Sequence, residues 1–102
     1  MRKTKLQERL ERFCDDEFAP ITTKVFARII AERLASGESP EDISCEIGTG
    51  RHYLYTITGQ GSEMLFSTLS RRCRELGYSV RLSVTRDSDG RSWEYQYDDD
   101  DL

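Results

Sequence analysis

The sequence predicts a mainly α fold: four to five short helices with a central helix-turn-helix, followed by a C-terminal two-stranded β-hairpin. Apolar residues recur at helical spacing as far as Leu76. Serine, proline and glycine signals cut that region into short pieces. After Gly77 the apolar period drops to two, the mark of half-covered strands.

Thr4 followed by Gln7 fits a capping box, and Leu6, Leu10 and Phe13 repeat on one face, so a helix is expected over 4–17. Phe18-Ala19-Pro20 ends it, because the residue before a proline is pushed out of the α region. Thr22 or Thr23 can cap a second helix running to about Ser36, with Val25, Phe26, Ile29, Ile30 and Leu34 as its core stripe and Gly37 as its stop. Ser39-Pro40-Glu41-Asp42 restarts the chain as cap, first helical residue and two acids on the positive end of the dipole. That helix ends at Gly48, with Ile43 and Ile47 inward. Residues 51–58 form the next, with Leu54 and Ile57 inward, and Gly59-Gln60-Gly61 breaks it. Ser62 then caps a helix to Leu76 that buries Leu65, Phe66, Leu69, Cys73 and Leu76, with Gly77 as C-cap.

Beyond Gly77, Val80, Leu82 and Val84 alternate with polar residues, Asp87-Ser88-Asp89-Gly90 makes a turn, and Trp93, Tyr95 and Tyr97 alternate again. A loop at 87–90 sets Arg86 opposite Arg91 and pairs Val84 with Trp93, Leu82 with Tyr95 and Val80 with Tyr97 on one face. Two strands alone are marginally stable, so this face needs a cover, either the chain's own helices or the hairpin of a second copy. The dimer reading takes Val80, Leu82, Val84, Trp93, Tyr95 and Tyr97 as the contact.

With 102 residues, the chain holds one core, expected as a single domain over 1–97 with an acidic, disordered tail at 98–102. No apolar run approaches the ~20 residues of a membrane span, and no apolar segment follows the basic start, so neither a membrane partner nor a secretory signal is expected. Cys14, Cys45 and Cys73 are odd in number and far apart, which suits three reduced thiols at core edges in a cytoplasmic protein. The net charge of −4 is unevenly placed. Residues 1–20 carry five groups of each sign and residues 21–77 carry seven of each, so residues 78–102, with three basic and seven acidic groups, hold the whole excess.

Residues 43–57 carry the candidate function. With Leu54 and Ile57 inward, the second helix of the pair presents Arg51, His52, Tyr55 and Thr56, with Thr49 and Gly50 leading in. Arg reads guanine or a phosphate, Thr a base edge or a thymine methyl, and Tyr reaches phosphate. Gly50 permits close backbone approach, with N–H groups directed at a phosphate oxygen. No acid occurs between Glu46 and Glu63, which makes this the longest stretch of the body that does not repel a polyanion.

From Asp42 to Val84 the chain resembles the helix-turn-helix module of phage-repressor-like regulators, close to the small antitoxin-like group. The matching pieces are Ile43 with Ile47-Gly48, Arg51 through Leu54-Tyr55, the Gly59-Gln60-Gly61 turn, Thr68-Leu69, and Glu75-Leu76-Gly77 leading into Arg81-Leu82-Ser83-Val84. The resemblance implies binding to a double-stranded DNA operator, which the hairpin-paired homodimer would engage. It makes Thr49, Arg51, His52 and Tyr55 the base-contacting residues, and Tyr53, Gln60 and Ser62 contacts to the DNA backbone, beside Gly50 read above from its backbone N–H groups. Arg71 and Arg72 are further candidates for the backbone, in an outward basic patch with Arg74 that could instead pair with acids of a partner.

Two departures support an alternative, a protein-binding module such as a phage-encoded inhibitor or antitoxin-like protein that blocks a partner through the fold and its acidic hairpin. Gly50 stands where relatives carry Ser or Thr, and Thr56 follows Tyr55 in place of a basic residue. No enzyme is expected, since His52 lacks a base or nucleophile in reach. The glycines do not have nucleotide-loop spacing, and no metal or other cofactor is expected.

Overall fold

A computed structural model describes residues 3–50, 52–58 and 63–96. It contains five helices, α1 (Lys5–Asp15), α2 (Ile21–Ala35), α3 (Pro40–Glu46), α4 (His52–Thr56) and α5 (Phe66–Glu75), then an antiparallel hairpin of β1 (Arg81–Thr85) and β2 (Ser92–Gln96). The fold class read from the sequence is the one observed.

Local signals set most helix ends. The Thr4 hydroxyl accepts from the Gln7 N–H at 3.1 Å and opens α1, and Ser39 does the same for Asp42, also at 3.1 Å, with Pro40 next in line. Gly48 (φ +70°) and Gly77 (φ +92°) take the left-handed conformation that ends α3 and α5, where a side chain would be strained.

The core gathers one face from each helix. Leu10, Phe26, Ile30, Ile43, Leu54 and Cys73 are fully buried, with Leu6, Ala27, Ala31, Ile47, Leu69 and Leu76 around them. The short 16–20 connection turns α2 back along α1, and these two helices form the most extensive helix pair of the body.

Three sequence expectations are corrected here. The threonines do not cap α2, which starts two or three residues earlier behind Pro20 without a side-chain cap. Instead the Thr22 hydroxyl donates to the Met64 carbonyl at 2.6 Å and Thr23 Oγ1 accepts from the Met64 N–H at 3.0 Å. One residue ahead of α5 is thereby gripped at both its backbone N–H and its carbonyl. Second, the stripe of α2 holds at Phe26, Ile29, Ile30 and Leu34 but not at Val25, which is 42% exposed, and Ala27 and Ala31 join the core. Third, α5 starts at Phe66, behind an extended Leu65 that is 70% exposed rather than inside. Ser62, expected as its cap, lies outside the described residues.

The hairpin has the expected register, with Val84 opposite Trp93 and Leu82 opposite Tyr95, and the Arg86 N–H donates to the Arg91 carbonyl at 2.8 Å. Tyr97, the intended partner of Val80, lies outside the described residues. Val80 packs against the edge of the core, but every strand residue is exposed except half-buried Trp93. The helices of its own chain therefore leave the aliphatic–aromatic face open.

Candidate nucleic-acid interface

Helix α4 has only five residues, too few to persist without support, and its position is set by what braces it from behind. Leu54 anchors it in the core. The Tyr53 ring meets Phe26 edge-on, with centroids 6.4 Å apart and planes at 62°. Its other contact is the Arg72 guanidinium, 4.6 Å from the ring centroid. From α1, Arg9 donates to the Tyr55 carbonyl at 3.3 Å, a cation at the negative end of the helix.

The turn before α4 is held in the same way. The Thr49 N–H closes on the Ser44 carbonyl at 2.9 Å, and Gly48 on Cys45 at 3.1 Å. The Ile47 carbonyl is satisfied from α5 by Arg72 Nη1 at 3.1 Å. Arg33 of α2 gathers the surroundings: Nη2 donates to both carboxylate oxygens of Glu46 at 3.0 Å, Nη1 to the Leu76 carbonyl at 3.0 Å, and Nε to Glu38. That fork joins the end of α3, the loop before it and the end of α5. Glu38, hydrogen-bonded to Arg33, is held below the usual carboxylate range.

Against this frame the candidate contact residues separate. His52 and Gly50 are exposed, and Tyr55 and Thr56 are half-buried, with Thr56 donating back to the Tyr53 carbonyl at 2.8 Å. Thr49 turns its hydroxyl into the body, where it is buried without a hydrogen-bond partner among the described residues. Tyr53 has its ring committed to Phe26 and Arg72. Of the basic patch on α5, Arg71 is exposed, but Arg72 does not point outward as expected; it spans from α5 to the turn and to Tyr53. Arg51, Gln60 and Ser62 lie outside the described residues.

Gly50 is not required by its conformation. Its φ is not positive, and a Cβ built there meets nothing within 4 Å, so a Ser or Thr would fit. Sequence reading missed Arg9 and Arg33, whose partners lie 46 positions away in one case and 13 and 43 in the other. No short-range pattern reports such a contact.

Among the described residues there is no cluster of metal-ligating side chains, and no helix is long and apolar enough to cross a membrane. No family model, no curated protein and no solved structure matches the chain.

Proposed function

We propose that the protein is a dimeric, sequence-specific DNA-binding regulator that seats α4 in the major groove of an operator. The observation that carries this reading is the pairing of a braced helix with a stretch free of carboxylates. The contacts that position α4 from the body of the chain come from Phe26, Arg72 and Arg9, and the sixteen residues between Glu46 and Glu63 contain no acid. His52 and Tyr55 would contact bases together with Arg51, and Arg71 would hold a phosphate. The acidic excess sits in residues 78–102, so a neutral body can meet DNA while the hairpin serves the dimer. The resemblance to phage-repressor-like regulators adds to the same reading.

The test is a fluorescence titration against the DNA upstream of its own coding sequence at two salt concentrations. Binding should weaken steeply as salt rises, because phosphate contacts release counterions. Arg51→Ala should cost ~1–3 kcal/mol if Arg51 reads a base, and an unchanged affinity removes it from the set.

A second reading, a module that blocks a protein partner, draws on a different observation. Phe18 is 88%, Ile21 71% and Leu65 70% exposed, and Val25 continues the strip along α2. Exposed apolar groups of this size suit a protein surface better than a phosphate backbone. No binding to DNA up to micromolar protein, with a dimer present, selects this reading.

A further inference from the structure

The open face of the hairpin is graded along its length. Its polar side is internally satisfied, with Arg81 on Glu94 at 3.3 Å and the Thr85 and Ser92 hydroxyls 3.0 Å apart. The other side carries Leu82 beside Tyr95 and Val84 beside Trp93, with Leu82 and Val84 about half exposed and Tyr95 60% exposed. Beyond Trp93, toward the turn, the same face ends in two arginines. The guanidinium of Arg86 lies 5.6 Å and that of Arg91 4.9 Å from the Trp93 ring centroid. Two cations converge on one indole, and the only carboxylate hydrogen-bonded to them among the described residues, Asp89, bonds the Arg86 side chain and the Arg91 backbone N–H.

The chain also carries the complement. The run Asp98-Asp99-Asp100-Asp101 follows β2 in sequence, tethered to the end of the ladder opposite the arginines. Five residues separate the Arg86/Arg91 level from the Arg81/Gln96 level, roughly 17 Å of strand. Within one chain, the run would have to reverse and lie fully extended along the ladder to bring even Asp101 level with the arginines. A second copy turned end for end removes that distance.

We infer that two copies of this chain stack their hairpin faces antiparallel about a two-fold axis, with Arg86 and Arg91 of one protomer meeting the Asp98–Asp101 run of the other. The Leu82–Tyr95 layer of each copy then covers the Val84–Trp93 layer of its partner. Electrostatics chooses the orientation. Parallel stacking would bring four arginines together at one end and both acidic runs at the other, whereas antiparallel stacking pairs them twice. The interface rests on the dimer of the reading above and not on DNA.

The test uses the full chain without DNA, so that failure of operator binding leaves it readable. One variant carries Arg86→Glu and Arg91→Glu; the other carries Asp98, Asp99, Asp100 and Asp101→Lys. Each alone faces like charge across the interface and should self-associate on the order of tenfold more weakly than the parent in sedimentation equilibrium. Mixed in equal amounts, they should form a heterodimer, resolved by native mass spectrometry, because both charge pairs are restored with reversed sign at one of them. Trp93, the single tryptophan, should shift its emission to the blue as the mixture assembles. A monomeric parent, single variants that dimerise like the parent, or a mixture that yields no heterodimer each overturns the interface. A contact within one chain fails the mixing step in the same way. A monomer that still binds operator DNA would remove this interface and leave the DNA reading standing, whereas a rescued heterodimer that ignores DNA would do the reverse.

Discussion

Arg72 lies over Tyr53, its guanidinium carbon 4.6 Å from the ring centroid, while its Nη1 donates to the carbonyl of Ile47 at 3.1 Å. One side chain of α5 therefore fixes both the turn and the helix that the turn leads into. Arg72→Ala removes the stack and leaves the Ile47 carbonyl without this donor, and should lower stability by about 1–3 kcal/mol in urea unfolding followed by circular dichroism. Lysine keeps the charge but lacks the planar fork, so Arg72→Lys should recover only part of the loss. Parental stability in the alanine variant would show that the pair does not hold the turn.

The facing of α2 gives a second prediction. Ile30→Ala opens a hole in a fully buried site and should cost about 2–5 kcal/mol. Val25→Ala, on the exposed side, should change stability by less than about 1 kcal/mol. Ala27→Leu adds apolar bulk to a position with no exposure and should destabilise by roughly 1–3 kcal/mol. Thermal unfolding of the three variants decides it: a costly Val25→Ala beside a harmless Ala27→Leu would put the stripe back where hydropathy alone places it.

Glu38 links stability to acid. Its hydrogen bond and ion pair with Arg33 depress its folded pKa below the ordinary 4.5. A carboxyl depressed on folding stabilises the protein above its unfolded pKa, and that contribution disappears as pH falls through the folded value. The parent should therefore lose stability on acidification from about pH 5 downward, and Glu38→Gln should lose less over the same interval. Parallel acid limbs in the two proteins would assign the loss to other carboxyls.

The three thiols should react in sequence. Cys45 is exposed, Cys14 is half-buried, and Cys73 is fully buried with its pKa pushed up to about 11 by desolvation. Burial also raises the Cys14 thiol, whose Sγ sits 3.5 Å from the Lys24 carbonyl. At pH 8 only about one Cys73 in a thousand would be thiolate, before access is considered. Iodoacetamide labelling followed by mass spectrometry should mark Cys45 first and Cys73 only after unfolding. Early labelling of Cys73 in native buffer would show that the α5 face opens readily.

Features of the fold written in short spans were legible in the sequence. Thr4 and Ser39 announce helix starts, Gly48 and Gly77 announce stops, and the alternation about Asp87–Gly90 fixes which strand residues pair. What hydropathy does not encode is distance between elements. It ranks Val25 above Ala27, yet Ala27 is in the core and Val25 is 42% exposed. It reads Leu65 as a core residue because nothing local reports that Met64, one position earlier, is pinned by Thr22 and Thr23, with Leu65 itself extended. Arg71 and Arg72 are indistinguishable in sequence, and only the three-dimensional position of Ile47 and Tyr53 gives them different environments. For the site, the exposed side of α4 followed from Leu54 being inward, while the inward Thr49 hydroxyl did not, since a turn has no periodicity to predict from.

The polar ties of the helical body join residues far apart in the chain: Thr22 and Thr23 to Met64, Arg33 to Leu76, Arg9 to Tyr55. Each closes a loop of some forty residues, an entropic outlay that comes before the contact returns anything. The hairpin ladder closes over a tight turn and meets no such delay. The hairpin should therefore form early in folding, and the brace behind α4 only once the distant elements of the body have met.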